Sequence, residues 1–168
     1  LQSMGGKAPA TLAELGSTCE VIHIVVMNEQ QVEAVLIGTA EAPGILPSAR
    51  QDATVTIVST IGRAACLRFA KMASNYRVNL LDAPVTGGME AAKAGNLTFL
   101  VGGDADVLNR CRYALEPASR VIEHVGPVGT GQLAKLANNV VLMTTVKAIG
   151  EVVEMCAAGG ISTERTVA

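Results

Sequence analysis

Tryptophan is absent from this chain, and tyrosine and phenylalanine together make up only 2% of it. An interior must therefore be built from Ala, Val, Leu and Ile. The stacking platforms interleaved with basic residues that mark a nucleic-acid surface are missing. Charge is scarce as well. Lys and Arg number 13 against 15 Asp and Glu, 17% of the chain in all, for a net charge of −2. No basic stripe exists to meet phosphate or an anionic membrane. The four cysteines, Cys19, Cys66, Cys111 and Cys156, lie more than forty residues apart, too far for zinc-type pairs and too sparse for a disulfide scaffold. Reduced thiols in a cytoplasmic protein, with no metal site, are expected. The longest uncharged apolar run of the late chain, residues 136 to 146, includes two asparagines and falls far short of the roughly 20 residues needed to span a membrane. The opening "LQSMGG" lacks the charged-then-apolar pattern of a secretory signal.

Proline is missing after Pro127, and Gly150 is the only interior glycine between residues 132 and 158. As one helix, residues 130 to 158 would extend about 43 Å at 1.5 Å per residue, far more than a crossover helix needs. A boundary near 127 follows. Residues 1–126 are expected to form one α/β domain. Residues 127–168 begin an all-α second domain, opened by this long interdomain helix.

The remainder is 49% hydrophobic and alternates in character. "VIHIVVM" (21–27) and "ATVTIVST" (53–60) are β-branched, nearly continuous apolar runs, as in strands covered on both faces. "RVNLLDAPV", "NLTFLVGG" and "RVIEHVG" supply three more strands. Between them, "NEQQVEAVLIG" ends at a glycine stop, "RAACLRFAKMASNY" has helical spacing, and "DADVLNRCRYAL" opens on an Asp able to cap amides. "APGILPS" reads as a loop. Strands alternating with helices imply a mostly parallel, helix-covered sheet.

Two stretches carry chemistry. In "DAPVTGGMEAAKAGNL" (82–97) a strand runs into Thr86-Gly87-Gly88. Ligands of open α/β sheets bind beyond such strand ends, where a hydroxyl and bare amides can grip a small carboxylate. The same residues could equally be a Gly-Gly turn between two strands. In "GPVGTGQLAKLANNVVLM" (126–143) three glycines lead into the long helix, with Lys135 and Asn139 one turn apart on one side and Asn138 bordering them. Lys135 sits in the first two turns, where the macrodipole disfavours a cation. That setting suits an amine that must exchange a proton with a hydroxyl or carbonyl, although a lysine there could also snorkel to solvent. His23 and His124 fall inside strands and read as structural. Asp82 reads as the cap of a strand end.

The two motifs, in this order and spacing, resemble those of the β-hydroxyacid dehydrogenase family, which includes 3-hydroxyisobutyrate dehydrogenase, tartronate semialdehyde reductase and L-threonate dehydrogenase. "EVIHIVVMNEQQVEAVL" and "VTIVSTI" resemble its cofactor-side strands, so the likeness covers most of the chain. It implies a dinucleotide-binding, Rossmann-like α/β domain over residues 1–126, NAD or NADP as cofactor and a small 3-hydroxy acid as substrate. It also implies Lys135 as general acid and base, Thr86, Gly87, Gly88 and Asn139 as substrate ligands, and Val26, Met27 and Thr60 beside the cofactor. Four positions depart from the family pattern. Thr86 replaces a serine, Glu90 a common glycine, and Val26-Met27 a Leu-Pro pair. A glycine-rich phosphate loop does not precede Val21, so the sheet is expected to lack its first βα unit and the isolated chain to bind NADH weakly. A catalytically incompetent fragment, or an assembly module of the same fold, is the alternative. Its apolar long helix would seek a partner surface, with a homodimer or higher homo-oligomer expected.

Overall fold

The computed structural model describes Ser3 and residues 5–167. The chain divides into two compact units, Leu1–Lys135 and Leu136–Ala168.

In the first unit a short helix α1 (Leu12–Thr18) leads into strand β1 (Val21–Ile24). Thr11 caps α1 by accepting the Glu14 N–H. Helix α2 (Glu29–Ile37) starts where the Asn28 side chain accepts the Gln31 N–H at 2.9 Å, and stops at Gly38 with φ +102. Strands β2 (Thr54–Ile57) and β3 (Asn79–Asp82) enclose α3 (Arg63–Asn75), then come β4 (Val85–Thr86), α4 (Gly88–Lys93), β5 (Leu97–Gly102), α5 (Ala105–Leu115) and β6 (Ser119–Gly126). Asp104 caps α5 through the Asp106 and Val107 amides. The segment expected to be a loop before β2 contains a 3-10 turn at Leu46–Ser48.

The sheet runs β1-β2-β3-β5-β4, with β6 on the other side of β5. β1, β2 and β3 are parallel, and so are β5 and β6, but β5 is antiparallel to both β3 and β4. The sheet is therefore mixed, still with more parallel ladders than antiparallel ones. The reversal follows from chain length. A parallel return needs a dozen or more residues, and α4 offers six. The single strand expected over "RVNLLDAPV" is broken at Ala83-Pro84, since proline brings no N–H to a ladder. The Pro84 carbonyl still accepts the Leu100 N–H.

Two apolar clusters fill the sheet's faces. One gathers Ile22, Val32, Leu36, Val55, Ile57 and Phe69. The other joins Leu81, Phe99, Val101 and the inward side of α5 through Leu108, Cys111 and Leu115. β2 is buried at every position. β1, at the sheet edge, alternates instead, leaving His23 outward. His23 is structural there: its ring nitrogens meet the Thr56 hydroxyl and the Ala114 carbonyl.

Helix α6 (Thr130–Ala158) has the bounds read from the sequence. Within the second unit it exposes Val140, Val141, Met143, Val146, Ile149, Val152 and Met155, apolar on more than one face. Helix α7 (Thr163–Thr166) follows. No helix among the described residues is long and apolar enough to cross a membrane.

Candidate active site

The register aligns Ile24 with Ile57 and Ile57 with Asp82. The carboxyl ends of the three parallel strands therefore finish level, and the residues just beyond them share one edge. Val26, Ser59, Thr60 and Asp82 all belong to it.

Helix α6 is fastened to this edge by its first turn. α6 has no capping side chain of its own; Asp82 supplies one from 47 to 50 residues away. Its two carboxylate oxygens accept the Gly129 and Gln132 amides at 2.7 Å each. Asp82 is 0% exposed. Burial pushes its carboxyl above the usual range and outweighs the backbone amides that draw it down. The sequence reading that Asp82 caps a strand end is thus corrected, because the orphan amides it satisfies belong to a helix. Close approach requires glycine at 131. A Cβ there would overlap the Leu100 carbonyl and the Asp82 carboxylate.

Gln132 makes a second attachment. Its Oε1 accepts the Ile61 N–H and its Nε2 donates to the Ser59 carbonyl, both at 2.9 Å. The Ser59 hydroxyl in turn donates to the Val26 carbonyl at 2.8 Å and accepts the Val26 N–H at 2.7 Å. No buried side-chain nitrogen or oxygen among the described residues lacks a partner. Neither Gln132 nor Ser59 stood out in the sequence. The available signal was a glutamine on an apolar helix that opens without a local cap.

Cys66 lies behind this network, fully buried. Burial, then the neighbouring Asp82 carboxyl, push its thiol up to about 12. In the unfolded chain the thiol ionises near 9.0. The folded state then holds a proton that the unfolded state releases, so stability is complete below about pH 9 and falls as pH rises towards 12, by at most about 1.4 kcal/mol per pH unit. Denaturation midpoints at neutral pH and near pH 10.5 should show this fall in the parent and a shallower one in Cys66→Ala. In the native protein, Cys66 should also resist alkylation while the half-buried Cys19 and Cys156 react.

The expected site residues fall as follows. Lys135 is half-buried in the second turn of α6, three residues beyond Gln132. Val26 is half-buried with its backbone held by Ser59, whereas Met27 is 86% exposed. Thr60 is exposed between β2 and α3, and a side chain at neighbouring Gly62 would meet open space. This outward shelf lies at the strand ends, where open α/β sheets bind their ligands. Thr86 ends β4, Gly87 (φ +128) follows it, and Gly88 (φ +71) opens α4. The Thr-Gly-Gly stretch thus leads into a six-residue helix, where the alternative reading had a turn between two strands. Thr86 and Gly87 line an open cleft of about 480 Å³ with Glu90, Asn96, Thr98 and Arg120. Lys135 does not line it. Asn139 lies in the second unit, half-buried, and Asn138 beside it is exposed.

A level parallel edge, a helix start pinned across it and an exposed shelf beyond β1 and β2 define a dinucleotide-binding α/β domain. Residues 1–126 match the NAD binding domain of 6-phosphogluconate dehydrogenase, and the chain belongs to that family and, within it, to the β-hydroxyacid dehydrogenases. The cofactor of this family is NAD or NADP. The chain is 31% identical to 3-hydroxyisobutyrate dehydrogenase of Pseudomonas aeruginosa, over 96% of itself and 53% of that protein. It is 31% identical to 2-hydroxy-3-oxopropionate reductase of Escherichia coli, over 95% of itself and 54% of that protein. The solved structure of Mycobacterium tuberculosis 3-hydroxyisobutyrate dehydrogenase with L-serine superposes with a TM-score of 0.79 at 32% identity, covering 89% of this chain and 50% of that one. The chain spans about half the length of the relatives it matches.

Proposed function

We propose that the protein is an NAD(P)-dependent oxidoreductase that interconverts a small 3-hydroxy acid and its aldehyde or keto acid. The observation that supports this reading is the fastening of the first turn of α6, through Asp82 and Gln132, to the strand ends and to the two peptides that flank Thr60. Val26, Met27 and Thr60 would hold the nicotinamide half of the cofactor, which when bound accepts or supplies the hydride. Lys135 would take the hydroxyl proton during oxidation and return it to the carbonyl oxygen during reduction. The amides of Gly87 and Gly88 and the Thr86 hydroxyl would anchor the substrate carboxylate, and the Asn139 amide would hold its hydroxyl. The added methyl of Thr86 narrows the space beside that carboxylate. Assay at millimolar NAD+ and NADP+ against 3-hydroxy acids and their 2-hydroxy isomers tests the reading. Oxidation confined to the 3-hydroxy series is expected, and equal or preferred oxidation of the 2-hydroxy series would refute it.

The same reading puts the protein in the cytoplasm, in keeping with four free cysteines. It also makes α6 the seam of a homodimer or higher homo-oligomer, since an apolar helix exposed on more than one face needs a covering surface. Ile149→Asp should shift the mass measured by light scattering towards the monomer. An unchanged mass would exclude α6 as the seam.

A further inference from the structure

We infer that Gln132 is a positioning residue, whose carboxamide sets the Ser59-Thr60-Ile61 turn for the nicotinamide half of the cofactor and ties that turn to the helix carrying Lys135. This rests on the proposed cofactor role of Thr60.

Gln132 is 0% exposed, and burying an amide is costly unless both its ends are bonded. Both are, and the two partners are the backbone groups on either side of Thr60, the Ser59 carbonyl and the Ile61 N–H. One planar carboxamide thereby fixes both peptide planes that flank Thr60, while Thr60 itself stays exposed. The effect continues through the Ser59 hydroxyl, which exchanges hydrogen bonds with both backbone groups of Val26. The two inner contacts expected for the cofactor, Val26 and Thr60, are thus chained to one side chain. That side chain is held in turn by its own N–H, which donates to Asp82 at 2.7 Å. Lys135 lies three residues on, about 4.5 Å along the helix axis and on the same side. A shift of the Thr60 turn therefore requires a shift of the α6 start. An apolar side chain could fill the volume but could not orient these two peptides.

The test separates orientation from packing. In Gln132→Glu, a protonated carboxyl reproduces the amide pattern: its C=O accepts from Ile61 and its O–H donates to the Ser59 carbonyl. The ionised form has no donor and faces that carbonyl with like charge. Buried carboxyls titrate above their usual range, so the mimic should be intact in mild acid and lost at mildly alkaline pH. The titratable and charged groups around Gln132 are Asp82 and, behind it, Cys66, with Lys135 one turn on along α6 and Arg63 of α3 beside Gly129, and the parent protein followed over the same pH range accounts for all of them. Nicotinamide mononucleotide, which carries only the reactive half of the cofactor, is titrated while the Thr60 and Ile61 amide resonances are recorded. The parent should bind with a pH-independent affinity. Gln132→Glu should match it in mild acid and weaken by about tenfold or more in mild alkali, while its far-UV circular dichroism stays constant. Affinity for the mononucleotide retained at every pH, or lost together with the folded signal, would overturn the inference. No response of these amides in the parent would instead overturn the cofactor reading, and the inference with it. Hydrogen exchange in the parent gives a check that needs no variant. The Ile61 amide, outside any strand, should be protected to the level of β2, and rapid exchange there would contradict its bond to Gln132.

Discussion

Replacing Lys135 with alanine should lower turnover by about 10²–10⁴-fold, the usual contribution of a positioned proton donor and acceptor, and should leave the melting temperature nearly unchanged. The asymmetry has a physical source. Lys135 is half-buried, and none of the ion pairs among the described residues involves it. Alanine is the better helix former, so the fold loses little. The reaction loses the group that takes up the hydroxyl proton as hydride leaves carbon, and water in its place is neither oriented nor suitably basic. Added small primary amines should restore part of the rate, because they return the missing base to the space the side chain vacates. Comparable loss of activity and stability would show instead that Lys135 acts on the fold.

Asp82→Asn should have the opposite profile and cost the first unit about 3 kcal/mol. Both carboxylate oxygens now accept backbone amides. An asparagine keeps one acceptor and turns its NH₂ against the other amide, leaving two buried donors face to face. Each lost bond of this kind costs roughly 1–3 kcal/mol, and the helix start also loses its neighbouring negative charge. For a chain of this size, 3 kcal/mol corresponds to a fall of about 10 °C in melting temperature. Activity should suffer as a consequence, since α6 carries Lys135 and Gln132 away from the strand ends if its first turn loosens. A variant as stable as the parent would mean that the amides of Gly129 and Gln132 find other acceptors.

Features coded locally were legible in the sequence. Asn28 and Gly38 mark the two ends of α2, Asp104 opens α5, and the proline-free stretch after Pro127 gives α6 its full extent. Features coded by contact were not. The carboxylate of Asp82 and the amide of Gln132 are 50 residues apart, and no spacing rule links them. The reversed direction of β5 left no trace either, because apolar alternation is blind to strand polarity. Helix α4 is six residues between glycine-containing flanks, too short for a period to show. Helix α1 is coded locally as well. Its "TLAE" start has the spacing of a capping box, in which Thr11 accepts the Glu14 N–H and the Glu14 carboxylate accepts the Ala10 N–H. Of the expected site, Thr60 and Val26 do come to one edge with the start of α6. What sequence could not reveal is the buried hydrogen-bonded chain that keeps them there.

The most direct measurement is a crystal structure of the protein with NAD+ and 3-hydroxyisobutyrate bound. A single ligand molecule is expected, with its hydroxyl within hydrogen-bonding distance of the Lys135 amine and its carboxylate on the Gly87 and Gly88 amides. An amine directed into solvent, or separated from that carboxylate by a gap no small acid can bridge, would contradict the proposed function.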